Sequence, residues 1–251
     1  MLKTRIIPTL LFKDDSLVKG IKFASKRKIG TVMQSVRVYN MRGVDELIFV
    51  DIVAYRNNAR PDFETVDELA DECFMPLTVG GGVRSIEDIK GLLKVGADKV
   101  SIGSSAVFNP QIISLGSSKF GSQAIVVSID VKKIGNEYEV FTHSGTKPTG
   151  IHPTDLAKKV EKLGAGEILL TSIDKDGTMQ GYDVDLVKAI TESVNIPVIA
   201  SGGCGKYEDM LSVVKQGNAS AVAASSIFQF TEQTPLEAKK YLKNKGINVR
   251  I

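Results

Sequence analysis

Val79-Gly80-Gly81-Gly82 and Ala200-Ser201-Gly202-Gly203 decide the reading of this chain, because the glycine pairs Gly81-Gly82 and Gly202-Gly203 stand 121 residues apart. The same shift carries Ser104-Ser105 onto Ser225-Ser226, Gly96-Ala97 onto Gly217-Asn218 and Glu46 onto Glu167. Glycine turns, strand ends and strand starts all recur, so the chain is a doubled half-domain, with halves of about residues 1–122 and 123–251. Glycine lets backbone N–H groups approach an anion closely, and a following helix start adds a favourable dipole. Two such turns predict a site for a ligand with two anionic ends.

Around these turns, short β-rich runs alternate with helical periodicity from end to end. The strand candidates are Arg5–Phe12, Glu46–Ile52, Met75–Val79, Lys99–Ile102, Ala124–Val131, Glu167–Ser172, Pro197–Ala200 and Ala221–Ala224. Between them, apolar residues recur at i, i+3 and i+4, as in Val66-Leu69-Ala70-Cys73, Ile86-Ile89-Leu92-Leu93 and Leu156-Val160-Leu163. Ser85, Asn109-Pro110 and Asp183 stand where helix starts are expected. Eight units in strict β-then-α order predict an α/β fold, a (β/α)₈ TIM barrel with an internal twofold repeat, built as one domain over residues 1–251. An open doubly wound sheet is the alternative; eight units with twofold repetition favour closure.

Two connections are long. Lys13 to about Thr31 is rich in Lys and Asp, contains Gly20 and Gly30, and reads as a loop at a strand's C-terminal end, a candidate lid. Asp130 to His152 begins as strand and continues into a small hairpin around Ile134-Gly135-Asn136-Glu137.

Composition narrows the function. A net charge of +3 from 32 basic and 29 acidic residues does not imply nucleic acid or a membrane surface, although a local basic patch could serve an anionic small molecule. Cys73 and Cys204 have no CxxC spacing, and His143 and His152 are the only histidines, so neither a disulfide framework nor a metal centre is expected. No cofactor is expected. The start, Met1 to Ile7, reads as a strand rather than a signal peptide, no run reaches the ~20 apolar residues of a membrane span, and a cytoplasmic protein is expected.

Barrel active sites form at the C-terminal ends of the strands. Gly80-Gly81-Gly82, Gly103-Ser104-Ser105, Gly202-Gly203 and Ala224-Ser225-Ser226 stand there, with Asp51, Asp130, Asp174 and Asp176. The glycines have a plainer reading as tight strand-to-helix turns, and a rim carboxylate can cap a helix as readily as move a proton. Asp130 is the best catalytic candidate, because the alternation Val126, Ser128, Asp130 points it at the barrel axis if Leu11 points there from the first strand. Asp176-Gly177, following Thr171-Ser172-Ile173-Asp174, is a second candidate, for handling a substrate hydroxyl or ammonia.

At the other end, Arg5, Glu46, Lys99 and Glu167 begin the first, second, fourth and sixth strands. Arg5 shares parity with Leu11, Lys99 with Gly103 and Glu167 with Thr171, so the charges should converge on the axis as a neutral ring. Solvated charges at strand starts are the alternative.

Arg5-Ile6-Ile7, Val18-Lys19-Gly20, Val79-Gly80-Gly81-Gly82, Ala97-Asp98-Lys99-Val100-Ser101-Ile102, Gly121-Ser122-Gln123-Ala124, the run Gly164–Gly177, Ala200-Ser201-Gly202-Gly203 and Asn248-Val249-Arg250 together resemble the cyclase subunit of imidazole glycerol phosphate synthase. The resemblance covers essentially the whole chain. It implies a barrel with a separate glutaminase on its N-terminal face, ammonia entering through a gate of Arg5, Glu46, Lys99 and Glu167, and the lumen carrying it to the top. It further implies Asp98 as a glutaminase contact and Lys19 and Asp130 as catalytic residues. Phosphate and substrate contacts would fall on Gly81, Gly82, Gly103, Ser104, Thr171, Asp176, Gly177, Gly202, Gly203, Ala224 and Ser225.

Two positions depart from that family. Its chemistry uses an aspartate pair, on the first and fifth strands; here the fifth-strand member is Asp130 and the first-strand position is Leu11, within Pro8-Thr9-Leu10-Leu11-Phe12. Gly103 replaces an asparagine. Leucine cannot titrate or accept a hydrogen bond, so half of the acid/base pair is missing. These changes resemble a paralogous branch found with surface-polysaccharide genes, in which the barrel serves a glutaminase and a sugar amidotransferase that turn an acetamido group into an acetamidino group. Three readings follow: an ammonia-channelling subunit for that modification, a genuine cyclase acting on the bisphosphate ribotide of histidine biosynthesis, or a non-catalytic scaffold that activates a glutaminase.

Overall fold

The computed structural model describes residues 3–251. Met1 and Leu2, which the N-terminal strand reading included, lie outside the described residues. Eight parallel strands close on themselves: β1 Arg5–Lys13, β2 Leu47–Asp51, β3 Leu77–Gly80, β4 Lys99–Ile102, β5 Ile125–Ile134, β6 Glu167–Ser172, β7 Val198–Ser201 and β8 Ala221–Ala224. β8 pairs with β1, and β5 pairs with β6, so no edge remains in the ring. The protein is a (β/α)₈ barrel, and the open-sheet alternative is excluded.

Register fixes which side chains meet on the axis. Thr9 pairs with Ile48, Ile48 with Thr78, Thr78 with Lys99, Ser101 with Val126, Val126 with Glu167, Leu169 with Ile199, Ile199 with Ala221, and Ala221 with Arg5. Followed round the barrel, this pairing returns to β1 with a net offset of about eight residues, the shear of barrels in which alternate strands contribute alternate layers. From the base upward, β1, β3, β5 and β7 supply Ile7, Thr78, Val126 and Ile199, then Thr9, Gly80, Ser128 and Ser201, then Leu11, Gly82, Asp130 and Gly203. The other four strands supply Glu46, Lys99, Glu167 and Ala221, then Ile48, Ser101, Leu169 and Ala223, then Val50, Gly103, Thr171 and Ser225.

The inner hydrocarbon is therefore small and central: Ile7, Ile48, Val126, Leu169, Ile199, Ala221 and Ala223 form one cluster inside the barrel. The larger cluster lies between the outward strand faces and the helices, where Ile6, Leu10, Phe49, Leu69, Ile89 and Leu92 are essentially sealed from solvent. Burying each such side chain contributes about 1.5–3 kcal/mol.

Helix starts follow local chemistry. The Ser85 hydroxyl accepts from the Asp88 N–H while the Asp88 carboxylate accepts from the Ser85 N–H, a reciprocal cap on the helix Ile86–Lys94. Asp183 caps Val184–Thr191 through Leu186 N–H, and Gln111–Phe120 follows Asn109-Pro110. A five-residue helix, Ser104–Phe108, precedes it, and its counterpart Ser226–Phe230 follows β8.

The expected lid loop is instead a β-ribbon, which corrects the loop reading. Ser16–Ile21 pairs with β1 and with Ala24–Gly30, in a ladder with two register shifts. Leu17 and Val18 are both buried in succession, so the segment lacks the alternation that marks a strand. Lys22 N–H donates to the Asp176 carbonyl at 2.8 Å, and Arg27 lies over the Phe230 ring at 4.4 Å, holding the ribbon down across the barrel mouth. The second hairpin stands where expected: β5 continues to Ile134, which pairs with Glu137, and Glu137–Thr142 returns antiparallel. No helix among the described residues is long and apolar enough to cross a membrane.

Candidate functional site

At the N-terminal end the four predicted charges meet. Arg5 donates to Glu46 at 2.6 Å and to Glu167 at 3.1 Å; Lys99 donates to the same two carboxylates at 2.9 and 3.2 Å. Thr78 Oγ1 donates to the remaining Glu46 oxygen at 2.6 Å. Each cation thus bridges both anions, which excludes independent solvated charges. Burial works against the Arg5 charge, but Glu167 and Glu46 outweigh it and hold its pKa above the ordinary value. Thr78 was not legible as a ring member, because its position marks only a buried strand.

Asp98 lies on the same end and is exposed, but one carboxylate oxygen is committed to Leu77 N–H at 2.8 Å. Asp45 plays the same part for Ile6 N–H, and also holds the buried Lys239 ammonium at 2.7 Å.

At the C-terminal end one cavity gathers Leu11, Lys19, Gly81, Gly82, Gly103, Ser104, Asp130, Thr171, Asp176, Gly177, Gly202, Gly203, Ala224 and Ser225. Gly81 at φ +110° and Gly203 at φ +108° adopt backbone that favours glycine, and a Cβ on either would strike a carbonyl oxygen, of Asp51 and of Gly181 respectively. The paired turns are thus as tight as the plainer reading requires, and both open on the cavity.

The halves differ in detail. Ser104 Oγ accepts from His143 N–H at 2.9 Å, which turns its own proton away from that neighbour; Ser225 Oγ donates to Gln229 at 3.1 Å. Asp51 accepts from Val53 and Ala54 N–H, and Asp174 from Lys133 N–H, so these two rim carboxylates serve the backbone.

Lys19 and Asp176 form a buried ion pair at 3.0 Å across the ribbon and the β6 loop. Among the described residues Asp130 has no cation against it. Protein surrounds its carboxyl although the cavity still reaches it, and burial, reinforced by the Asp176 charge, pushes its pKa up to about 7. Leu11 stands in the same layer. A carboxyl in that range can give and take a proton near neutral pH.

Other cavity residues were not among the sequence candidates: Thr9, Phe23, Lys26, Tyr55, Ser101, Ser201 and Cys204, while Ser128 entered only through the alternation that aims Asp130 at the axis. Inward parity on β1, β4 and β7, applied as it was on β5, would have found Thr9, Ser101 and Ser201. Cys204 follows the second glycine turn, but burial pushes its thiol up to about 12, so it is no thiolate nucleophile.

A closed barrel with paired glycine turns at the C-terminal end of its strands, a buried carboxyl between them and an ion ring at the base defines a (β/α)₈ protein whose upper cavity is its candidate site. The sequence matches the family model "Histidine biosynthesis protein" over residues 5–233, and the chain belongs to that family. It is also 50% identical, over 250 residues, to the imidazole glycerol phosphate synthase subunit HisF of Hyphomonas neptunium, an alignment that covers 100% of this chain and 99% of that one.

Proposed function

We propose that this chain is the barrel subunit of a glutamine-dependent amidotransferase assembly, receiving ammonia from a glutaminase docked on its N-terminal face, with its own ring-closing chemistry weakened. The observation that carries this reading is the upper layer Leu11, Gly82, Asp130 and Gly203, which holds one carboxyl where two would share the proton work. The ion ring and the hydrocarbon above it suit a path for a small neutral molecule, and neither needs an acid at position 11. The product best matched to this combination is an acetamidino sugar of a surface polysaccharide, formed with a sugar amidotransferase that uses the ammonia.

A second reading, cyclase and lyase action on the bisphosphate ribotide of histidine biosynthesis, is favoured by the paired glycine turns and by Asp130 alone lying in the proton-carrying range. Purified protein supplied with that ribotide and concentrated ammonium salt separates the two. The amidotransferase reading expects little imidazole product, restored by Leu11→Asp; turnover at the rate of an ordinary cyclase would overturn it. With a glutaminase present, Lys99→Ala or Glu167→Ala should uncouple glutamine hydrolysis from product formation. A scaffold role expects glutaminase activation that survives Asp130→Asn and loss of the upper glycines.

A further inference from the structure

The first half of the barrel carries groups on its upper rim that the repeat does not demand. The 121-residue shift lays Tyr55-Arg56 on Asp176-Gly177 and Phe108 on Gln229. The second half makes its turns with an acid, a glycine and an amide at these positions, where the first half sets two aromatic rings and a cation.

The rings run outward from the cavity in a row. Tyr55 lines the cavity together with Gly82 and Ser104. Its ring meets the His143 imidazole edge to face at 5.1 Å, and His143 meets Phe108 in the same manner at 5.6 Å. Phe108 ends its five-residue helix and is 59% exposed, an open aromatic surface next to the mouth. The fold holds this row in place. Arg84 lies over the Tyr55 ring at 4.5 Å while its guanidinium donates to the Tyr55 and Ala59 carbonyls. His143 and Ser144 take φ of +54° and +57°, uncommon for residues other than glycine, and are secured by His143 N–H donating to Ser104 Oγ and Ser144 Oγ donating to the Ile52 carbonyl.

Cations stand round the row. Lys26 lines the cavity from the ribbon, and Arg56 and Lys147 are exposed on the loops after β2 and after the strand Glu137–Thr142. None of these three side chains makes an ion pair or hydrogen bond with another described residue. They are near enough to act on their neighbours: burial, then Arg56 and Lys13, lower the Lys26 pKa against the pull of Asp176, and burial, then Lys147, Arg84 and Arg56, lower that of His143. The carboxylates of this rim are already engaged, Asp176 with Lys19, Asp14 with Lys13, Asp51 with the Val53 and Ala54 N–H groups, and Asp62 with Thr65. Unpaired cations beside an open aromatic row suit an anion joined to a flat ring.

We propose that Phe108, His143, Lys26, Arg56 and Lys147 form a nucleotide subsite at the cavity mouth, outside the two glycine turns, with the base stacked on the aromatic row and the diphosphate among the cations. A bare phosphate would use the cations alone and a nucleoside the rings alone, so the combination selects a nucleoside diphosphate. Its role rests on the amidotransferase reading above: the nucleotide is the handle by which the acceptor sugar is held over the cavity. Arg84 is a positioning residue, since its guanidinium is spent on Tyr55 and the loop that carries it.

With only two histidines in the chain, ring-labelled histidine gives an NMR signal that reports the row directly. The full chain is titrated at about pH 8, where His143 is neutral, with uridine 5′-diphosphate and again with adenosine 5′-diphosphate, against pyrophosphate and the free nucleosides. The His143 ring proton should move with either nucleotide, through the ring current of the stacked base, while His152, at the start of the helix Pro153–Lys162, stays still. Both nucleotides should bind more tightly than pyrophosphate or nucleoside. Phe108→Ala should weaken nucleotide binding about tenfold, the usual contribution of one stacked base, with pyrophosphate affinity and melting temperature unchanged. Arg56→Ala should weaken nucleotide and pyrophosphate alike. An unmoved His143, equal movement with pyrophosphate, or nucleotide affinity unchanged in Phe108→Ala would overturn the proposal. The two readings separate: imidazole product at the rate of an ordinary cyclase, with the His143 movement intact, removes the acceptor role and leaves the subsite, whereas little imidazole product with an unmoved His143 removes the subsite alone.

Discussion

Glu46 at the base of the barrel and Asp130 near its top are both carboxyls held inside a ring of strands, and the protein treats them oppositely. Glu46, 2% exposed, is met by Arg5, Lys99 and Thr78. Asp130 meets no cation among the described residues, faces the Asp176 charge and is pushed up to about 7. Burial penalises the charged form at both places, so the partners decide the outcome: a paired carboxyl becomes structure, and an unpaired one holds its proton towards neutral pH. Glu46→Gln breaks the comparison at its strong end, since it leaves Arg5 and Lys99 with only Glu167. The expected loss is about 3–5 kcal/mol in urea unfolding, the range for removing one partner of a buried ion network. A loss under about 1 kcal/mol would mean the ring is no more than a surface pair.

Asp130 should make stability depend on pH. Its pKa is raised in the folded state, so at low pH both folded and unfolded chains carry the proton and it costs nothing. As pH rises from about 4 to about 7 the unfolded chain loses its proton first, and the stability associated with Asp130 is lost through that window. The total is about 2–4 kcal/mol from the size of the shift, with access to the cavity placing it below the full value. Asp130→Asn should flatten the fall in stability between those pH values and leave the protein more stable than the parent at pH 8. Denaturant midpoints across pH check both; identical profiles would show that Asp130 ionises as an ordinary surface carboxyl.

The two ends also differed in how far the sequence disclosed them. The ring was legible as a candidate because the repeat pairs Glu46 with Glu167 and parity aims all four charges at the axis; solvated strand-start charges stood as the alternative until the bonds of Arg5 and Lys99 to both carboxylates decided it. Thr78 was hidden, since its partner lies 32 residues away and a single threonine in an apolar run carries no local signal. Lys239, which reaches Asp45 across 194 residues, was equally out of reach. At the top, the glycine turns and Asp130 were legible from spacing, but the ribbon Ser16–Ile21 with Ala24–Gly30 was not. Its two register shifts break alternation, and its lysines and glycines are those of a loop, while the contacts that make it a sheet lie on β1, Asp176 and Phe230.

Leu11→Asp sharpens the comparison with the smallest effect, because it asks whether the layer assignment is right rather than whether a charge is buried. If Leu11 and Asp130 share one level, a second carboxyl there must couple to the first, and the pair can no longer ionise independently. The upper apparent pKa of the pair should then rise above that of Asp130 alone by roughly one unit, equivalent to about 1.4 kcal/mol of mutual repulsion. The carboxyl carbon of Asp130, followed by NMR across pH in the parent and in Leu11→Asp, measures it directly. An unmoved titration would place the two side chains on separate levels, and the absent acid at position 11 would then not explain a change in the proton chemistry of the upper site.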